Sequence, residues 1–221
     1  MRINKFVALA TGLSRRAADQ AIAEGRVRHN GHTAEPGQTV EPTDTVTLDG
    51  QSLSAPQATT TIALHKPTGY VVSRNGQGSA TIYDLLPPEF HTLKPVGRLD
   101  KDSSGLLLLT NDGELANQLT HPSRQKRKLY EITLNAALQP LHRQLIAERG
   151  IQLADGPSQL GLERLHEGDD TQWRVIMHEG RNRQIRRTFE ALGYTVIRLH
   201  RTQFGDYQLD QLPAGQYRLI R

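Results

Sequence analysis

The residues best equipped for chemistry are Gly97-Arg98-Leu99-Asp100, followed by Lys101-Asp102-Ser103-Ser104-Gly105 and the apolar run Leu106-Leu107-Leu108-Leu109. An arginine and a carboxylate stand two residues apart in a loop bounded by proline and glycine. The buried segment that follows stops at the turn signal Asn111-Asp112-Gly113. Four leucines are too few to cross a membrane and read as a strand buried on both faces. A carboxylate held at the mouth of such a rigid element can act as a nucleophile or as a general base. The motif alone leaves both roles open. Ser103 and Ser104 would be nucleophiles only if a histidine reached them, and no sequence feature places one there.

Three basic clusters suggest what the carboxylate faces. The first is Arg2, Lys5, Arg15, Arg16, Arg26 and Arg28. Arg15 and Arg16 open a short helix, where backbone N–H groups already favour phosphate, and Arg26 and Arg28 flank Val27 on one face of a strand. The second is Arg124, Lys126, Arg127 and Lys128, directly before Tyr130 and with no acid inside it. The third is Gly180-Arg181-Asn182-Arg183-Gln184-Ile185-Arg186-Arg187. On a helix Arg183 and Arg187 share a face, and such crowding needs phosphates or a buried carboxylate among the charges. Arg198 and Arg201 add to the same region. A solvated charged surface is the bland alternative for each cluster.

Other signals weigh less. His29 and His32 have metal-like spacing, but they flank a turn with no further ligand nearby and read as solvated side chains. Gly76-Gln77-Gly78-Ser79 lacks the rest of a dinucleotide fingerprint. The chain has no cysteine, which excludes disulfides, thiolate metal sites and a cysteine nucleophile. The expected chemistry therefore uses no metal and no cofactor. A net charge of +4 favours an anionic partner without naming one.

The elements that must position these residues form an α+β chain of two parts. In residues 1 to 50, Ile3, Phe6, Val7, Ala10 and Leu13 recur at helical spacing. Ser14 is the N-cap of a second helix carrying Ala17, Ala18, Ala21 and Ile22. Strands follow at Val27 and at Thr45–Leu48, the first ending at the hairpin signal Asn30-Gly31. Residues 51 to 60 lack charge and periodicity and read as a linker. From 61 to 221, strands are expected at 61–64, 70–72, the leucine run, 130–134, 173–177 and 195–199, and helices at 113–120, 138–149 and 182–192. No apolar run is long enough to span a bilayer, and the N-terminus has no signal-peptide pattern. A cytoplasmic, membrane-free monomer is expected.

Three segments resemble one family, the bacterial ribosomal-RNA pseudouridine synthases. Gly97–Asp100 with the following Ser-Ser-Gly-Leu-Leu-Leu-Leu is similar to their catalytic motif. Lys128-Leu129-Tyr130 is similar to their second motif, and Gly180–Arg187 to their third. Residues 2 to 31 resemble the small helical RNA-binding domain first known from ribosomal protein S-four. The resemblance implies a small helix-helix-strand RNA-binding domain ahead of a mixed-sheet catalytic domain. It also implies a reaction that breaks the N-glycosidic bond of a uridine, turns the base and rejoins it through carbon. By resemblance Asp100 is the nucleophile, attacking the sugar or the base. Tyr130 stacks on the flipped uracil, and Leu199 packs behind it. Arg186 is the partner that favours the charged form of Asp100, with Arg98 as a second candidate. An ion pair between Asp100 and Arg186 is expected, and Asp102 is expected to be a loop carboxylate. Lys126, Arg127, Lys128, Arg181, Arg183 and Arg187 are the expected RNA contacts of the second part. The partner is ribosomal RNA or a ribosome assembly intermediate. The text around Thr120–Arg124 and Leu153–Pro157 is closer to large-subunit enzymes. The competing reading is a non-catalytic RNA-binding or assembly factor, which would not need Asp100, Tyr130 and Arg186 together.

Overall fold

The computed structural model describes residues 1–54 and 59–220. The chain divides into two compact units, Met1–Thr59 and Thr60–Arg221. In the first, α1 (Ile3–Thr11) buries Ile3, Phe6 and Val7 and ends at Gly12, whose φ of 77° is left-handed. The N-cap Ser14 opens α2 (Arg15–Ala23), its Oγ accepting the Ala17 N–H at 3.1 Å, a cap worth about 1 kcal/mol. The strands β1 (Val27–His29), β2 (His32–Thr33), β3 (Val46–Leu48) and β4 (Gln51–Ser52) form an antiparallel sheet in the order β2-β1-β3-β4. Asn30 and Gly31, both at positive φ, make the turn between β1 and β2. Ala18, Ala21, Ile22, Val27 and Val46 complete the core begun by α1.

The expectation of a linker over 51–60 is corrected at its start. The turn at Asp49 and Gly50 returns the chain, so Ser52 pairs with Thr47 and the Leu53 N–H donates to the Val46 carbonyl at 2.8 Å. Thr60 at the far end donates its N–H to Asn111 Oδ1 at 2.7 Å, inside the second unit. Residues 55–58 of the expected linker lie outside the described residues.

The second unit runs β5 (Thr61–Lys66), β6 (Lys94–Val96), β7 (Ser104–Thr110), α3 (Gly113–Thr120), β8 (Lys128–Leu134), α4 (Pro140–Gln144), β9 (Ile151–Leu153), β10 (Gly156–Ser158), β11 (Gly161–Arg164), β12 (Gln172–Met177), α5 (Gln184–Glu190), β13 (Val196–Phe204), β14 (Tyr207–Gln208) and β15 (Tyr217–Ile220). β9 and β10 form their own hairpin. The other strands make one mixed sheet in the order β11-β12-β8-β13-β7-β5-β15, with β14 on β13 and β6 on β7. The leucine strand β7 lies between β5 and β13, buried on both faces as its sequence requires. Leu107 and Leu109 enter the core with Ile62, Leu64, Tyr130 and Trp173. Leu106 and Leu108 enter the opposite one with Val96, Leu119 and Phe204.

The β7–β13 pair is parallel, matching Ser104 with His200 and Gly105 with Arg201. It admits no side chain at 105. Gly105 has φ +110°, and a Cβ there would sit 2.2 Å from the Arg201 carbonyl oxygen. Three expected elements differ. Tyr70–Val72 is no strand, because Val71 makes a single bridge to Thr81 in a loop that doubles back. The helix expected from 182 starts at Gln184, because Arg183 is left-handed at φ 46°. The one expected over 138–149 is α4 followed by a wider π-type turn over Leu145–Arg149. Among the described residues no helix is long and apolar enough to cross a membrane.

Candidate active site

Asp100 sits in the loop between β6 and β7, and a buried lysine fixes that loop from below. Lys66, at the end of β5, has no exposed surface. Its Nζ donates to the carbonyls of Pro67 at 3.0 Å, Asp100 at 3.0 Å and Ser103 at 2.7 Å. Burial pushes the ammonium down to about 8, while the charges of Asp100 and Asp102 oppose that shift. The loop is also closed on itself, since the Ser103 N–H donates to the Asp100 carbonyl at 3.1 Å. Sequence reasoning missed Lys66. It stands in an apolar strand pattern, and only the pairing of β5 with β7 reveals what its amine reaches.

The carboxylate of Asp100, about one-third exposed, opens into a cleft of about 500 Å³. Tyr130 of β8 and Leu199 of β13 line the same cleft, with Arg98, Lys126, Lys128 and Arg201. Tyr130 and Leu199 are each less than one-tenth exposed, so they offer the cleft an edge of apolar surface held rigid by the sheet. Arg98 is exposed. The cleft can hold a planar base beside a carboxylate.

The arginine cluster carries the main correction. The expected Asp100–Arg186 ion pair is not formed. Asp102 holds Arg186 instead: the Nε lies 3.3 Å from Asp102 Oδ2, and Nη2 donates to the Asp102 carbonyl at 3.0 Å. That Nε–H has no aligned acceptor, and Nη1 donates to the Val196 carbonyl. The guanidinium that does approach Asp100 is Arg183, with Nη1 3.5 Å from Asp100 Oδ2. Arg183 also donates to both oxygens of Asp102, at 3.2 Å and 3.3 Å. Desolvation raises the Asp102 carboxyl, but the hydrogen bond from Arg183 and the charges of Arg186 and Arg183 outweigh it and hold the group below its usual value. The physical reason for the exchange is the left-handed backbone at Arg183, which turns that side chain back over the Asp100 loop. Asp102 is therefore more than a loop carboxylate.

Arg181 and Arg187 are both paired within the unit. Asp155, in the β9–β10 turn, takes Arg187 through two oxygens at 3.0 Å and 2.8 Å and Arg181 at 3.0 Å. Arg181 also donates to the carbonyls of Asp155, Gly156 and Pro157. A carboxylate resolves the repulsion, and the terminal nitrogens of both arginines donate inside the unit, while Arg181 Nε is left without an acceptor. In the second cluster Lys126 and Lys128 line the cleft and Arg127 is exposed outside it. In the first unit Arg2, Arg15, Arg16 and Arg28 are exposed and Lys5 is half-buried. Arg26, its side chain about half exposed, is held by Asp49 at 2.8 Å and 2.6 Å. His29 Nε2 sits 2.8 Å from Asp44 Oδ2. A histidine does reach Ser104: His200 Nδ1 lies 2.8 Å from Ser104 Oγ. This pair joins β7 to β13, and neither residue lines the cleft.

Residues 60–191 match the family described as RNA pseudouridylate synthase, and residues 1–46 match the S4 domain. The chain is 36% identical to a ribosomal small subunit pseudouridine synthase A of Pasteurella multocida, covering 100% of this chain and 96% of the relative. It is 38% identical to a ribosomal large subunit pseudouridine synthase B of Xylella fastidiosa, covering 97% of this chain. It spans 48% of that second relative's length. A crystal structure of a pseudouridylate synthase superposes with a TM-score of 0.71 at 33% identity, covering 100% of this chain and 96% of the other.

Proposed function

Because the chain belongs to the RNA pseudouridylate synthase family, isomerases that act on RNA, we propose that it converts a uridine of ribosomal RNA to pseudouridine with Asp100 as nucleophile. The observation that carries this reading is the Asp100 carboxylate at the mouth of a cleft shared with Tyr130 and Leu199, on a loop pinned by Lys66. Asp100 attacks the sugar or the base as the N1–C1′ bond breaks. The base turns against the Tyr130 ring, a C5–C1′ bond forms, and the bond to Asp100 breaks to return the free carboxylate. The proton lost from C5 balances the one gained at N1, so no atom is added and no cofactor enters the scheme. Arg183, 3.5 Å from Asp100, takes the charge-stabilising role that the resemblance gave to Arg186. Asp102, which Arg186 also engages, holds it there.

The first unit supplies RNA affinity through Arg2, Lys5, Arg15, Arg16 and Arg28, which are exposed or half-buried, while Lys126 and Arg127 serve the second unit. The substrate is free ribosomal RNA or an assembly intermediate in the cytoplasm, and the large-subunit RNA is the target favoured by Thr120–Arg124 and Leu153–Pro157. Ribosomal RNAs of both subunits and assembly intermediates are incubated with the wild type and Asp100→Asn, and pseudouridine is mapped. Modification by the wild type and none by the variant is expected. No modification by the wild type on any of these RNAs would sink the enzyme reading, and equal modification by both proteins would sink Asp100. Modification confined to small-subunit RNA would replace the target.

A further inference from the structure

The cleft has a second cationic pole whose members, among the described residues, form no ion pair with a carboxylate side chain. Arg201 of β13 is 2% exposed, and its guanidinium makes one hydrogen bond, from Nε to the Leu106 carbonyl at 2.8 Å. Its Nη2 is buried without an acceptor. Arg201 Cζ lies 4.9 Å from the centroid of the Phe204 ring and 6.0 Å from that of Tyr130. Lys128, two residues before Tyr130, places Nζ 5.3 Å from the same Phe204 ring and donates to the Glu179 backbone carbonyl at 2.9 Å. Burial first, and then the charge of Arg201, pull the Lys128 ammonium below its usual value, while the Glu179 charge opposes this. The Glu179 carboxylate is itself engaged by Arg181 and Gln184.

Aromatic rings recover about 0.5–2 kcal/mol for a cation on their faces, but they are not counter-ions. A buried charge without a partner is costly. The contrast lies within the same cleft, where Arg181 and Arg183 each rest on carboxylates. Two uncompensated cations on one wall need a net negative charge. A base edge offers only carbonyl dipoles, and RNA carries negative charge on its phosphates.

We propose that Arg201 and Lys128 form a subsite for one phosphodiester of the RNA strand, next to the uridine held at Tyr130. Arg201 is the ladder partner of Tyr130, which fixes the subsite beside the base. The proposal rests on the ribosomal-RNA reading above.

The test is the salt dependence of binding of deproteinised ribosomal RNA to the full chain, from about 50 to about 200 mM salt, with pseudouridine measured separately. Arg201→Met and Lys128→Met are expected to weaken binding most at the lowest salt. Each is expected to make the slope of log affinity against log salt shallower by up to about 0.7, the value for one phosphate on a single strand. Arg201→Lys keeps the charge and the wild-type slope. A wild-type slope in both methionine variants, with unchanged circular dichroism, overturns the subsite. If Arg201→Met does not fold, Lys128→Met decides alone: a shallower slope supports the subsite and a wild-type slope overturns it. A shallower slope in a protein that forms no pseudouridine would support the subsite and sink the enzyme reading.

Discussion

At the scale of the residue, the carboxylate that organises the site is not the proposed nucleophile. Asp102 receives Arg183 through both oxygens and holds Arg186 through its side chain and its carbonyl. Asp102→Asn removes the charge but keeps the carbonyl, so Arg183 loses its anchor while Arg186 stays half-fixed. A charge-assisted hydrogen bond is worth about 1.5–3 kcal/mol, so single-turnover pseudouridine formation should fall about 10- to 100-fold. RNA affinity should stay within about threefold, because Asp102 supplies no cation to a phosphate. A variant with wild-type turnover would show that Arg183 needs no anchor. Asp100 was legible in the sequence because its motif ends a loop before a leucine strand. Its neighbour was not, because a guanidinium reaches several ångströms and a left-handed Arg183 redirects it. Position in the resembled third motif points to Arg186, whereas in the fold Arg183 lies nearer the Asp100 carboxylate.

At the scale of the element, the site depends on the one parallel junction that the sheet has among the described residues, β7 against β13. Gly105 makes it possible. Gly105→Ala places a methyl group against the Arg201 backbone and requires left-handed backbone that alanine disfavours. It should cost at least about 2 kcal/mol in urea unfolding and reduce turnover, since β13 carries cleft residues and β7 follows directly on the Asp100 loop. The same junction contains His200, whose proton affinity falls to about 4 through burial first and then the charges of Arg198 and His65. The ordinary value is about 6.5. Above that, folded and unfolded chains are both neutral at this residue. As pH falls from about 6.5 to about 4, the unfolded chain takes up a proton that the folded one refuses, so stability falls by up to about 3 kcal/mol. Unfolding free energies of wild type and His200→Gln at either end of that window give the check. The gap between them should narrow by that amount at the acid end, and a constant gap refutes the assignment. The leucine strand itself was legible, since a run with no polar face has to be buried on both sides. Its partners were not.

At the scale of the whole molecule, each unit has its own apolar core, one built on Ile3, Phe6, Val7 and Val27 and the other on Leu64, Leu107, Ile132 and Trp173. The cleft is lined by residues of the second unit alone. A chain of residues 60–221 should therefore fold and retain turnover at saturating RNA within about tenfold of the full chain. Its KM for ribosomal RNA should rise, because the exposed arginines of the first unit are gone. Initial rates across a range of RNA concentrations separate the two, and an unchanged KM would deny the first unit any part in RNA binding.

By itself the sequence determined the local order of this protein. Periodicity, caps and turn residues are short-range physics, and they set α1, α2, the Asn30-Gly31 turn, the leucine strand and the motifs that mark Asp100 and Tyr130. Tertiary structure alone decided which charges meet. Lys66 under the Asp100 loop, Asp102 between two arginines, Asp155 on Arg181 and Arg187, and Arg201 without a carboxylate all join groups far apart in the chain. Electrostatic partners are set by distance and burial, and both exist only once β5, β7, β8 and β13 lie side by side.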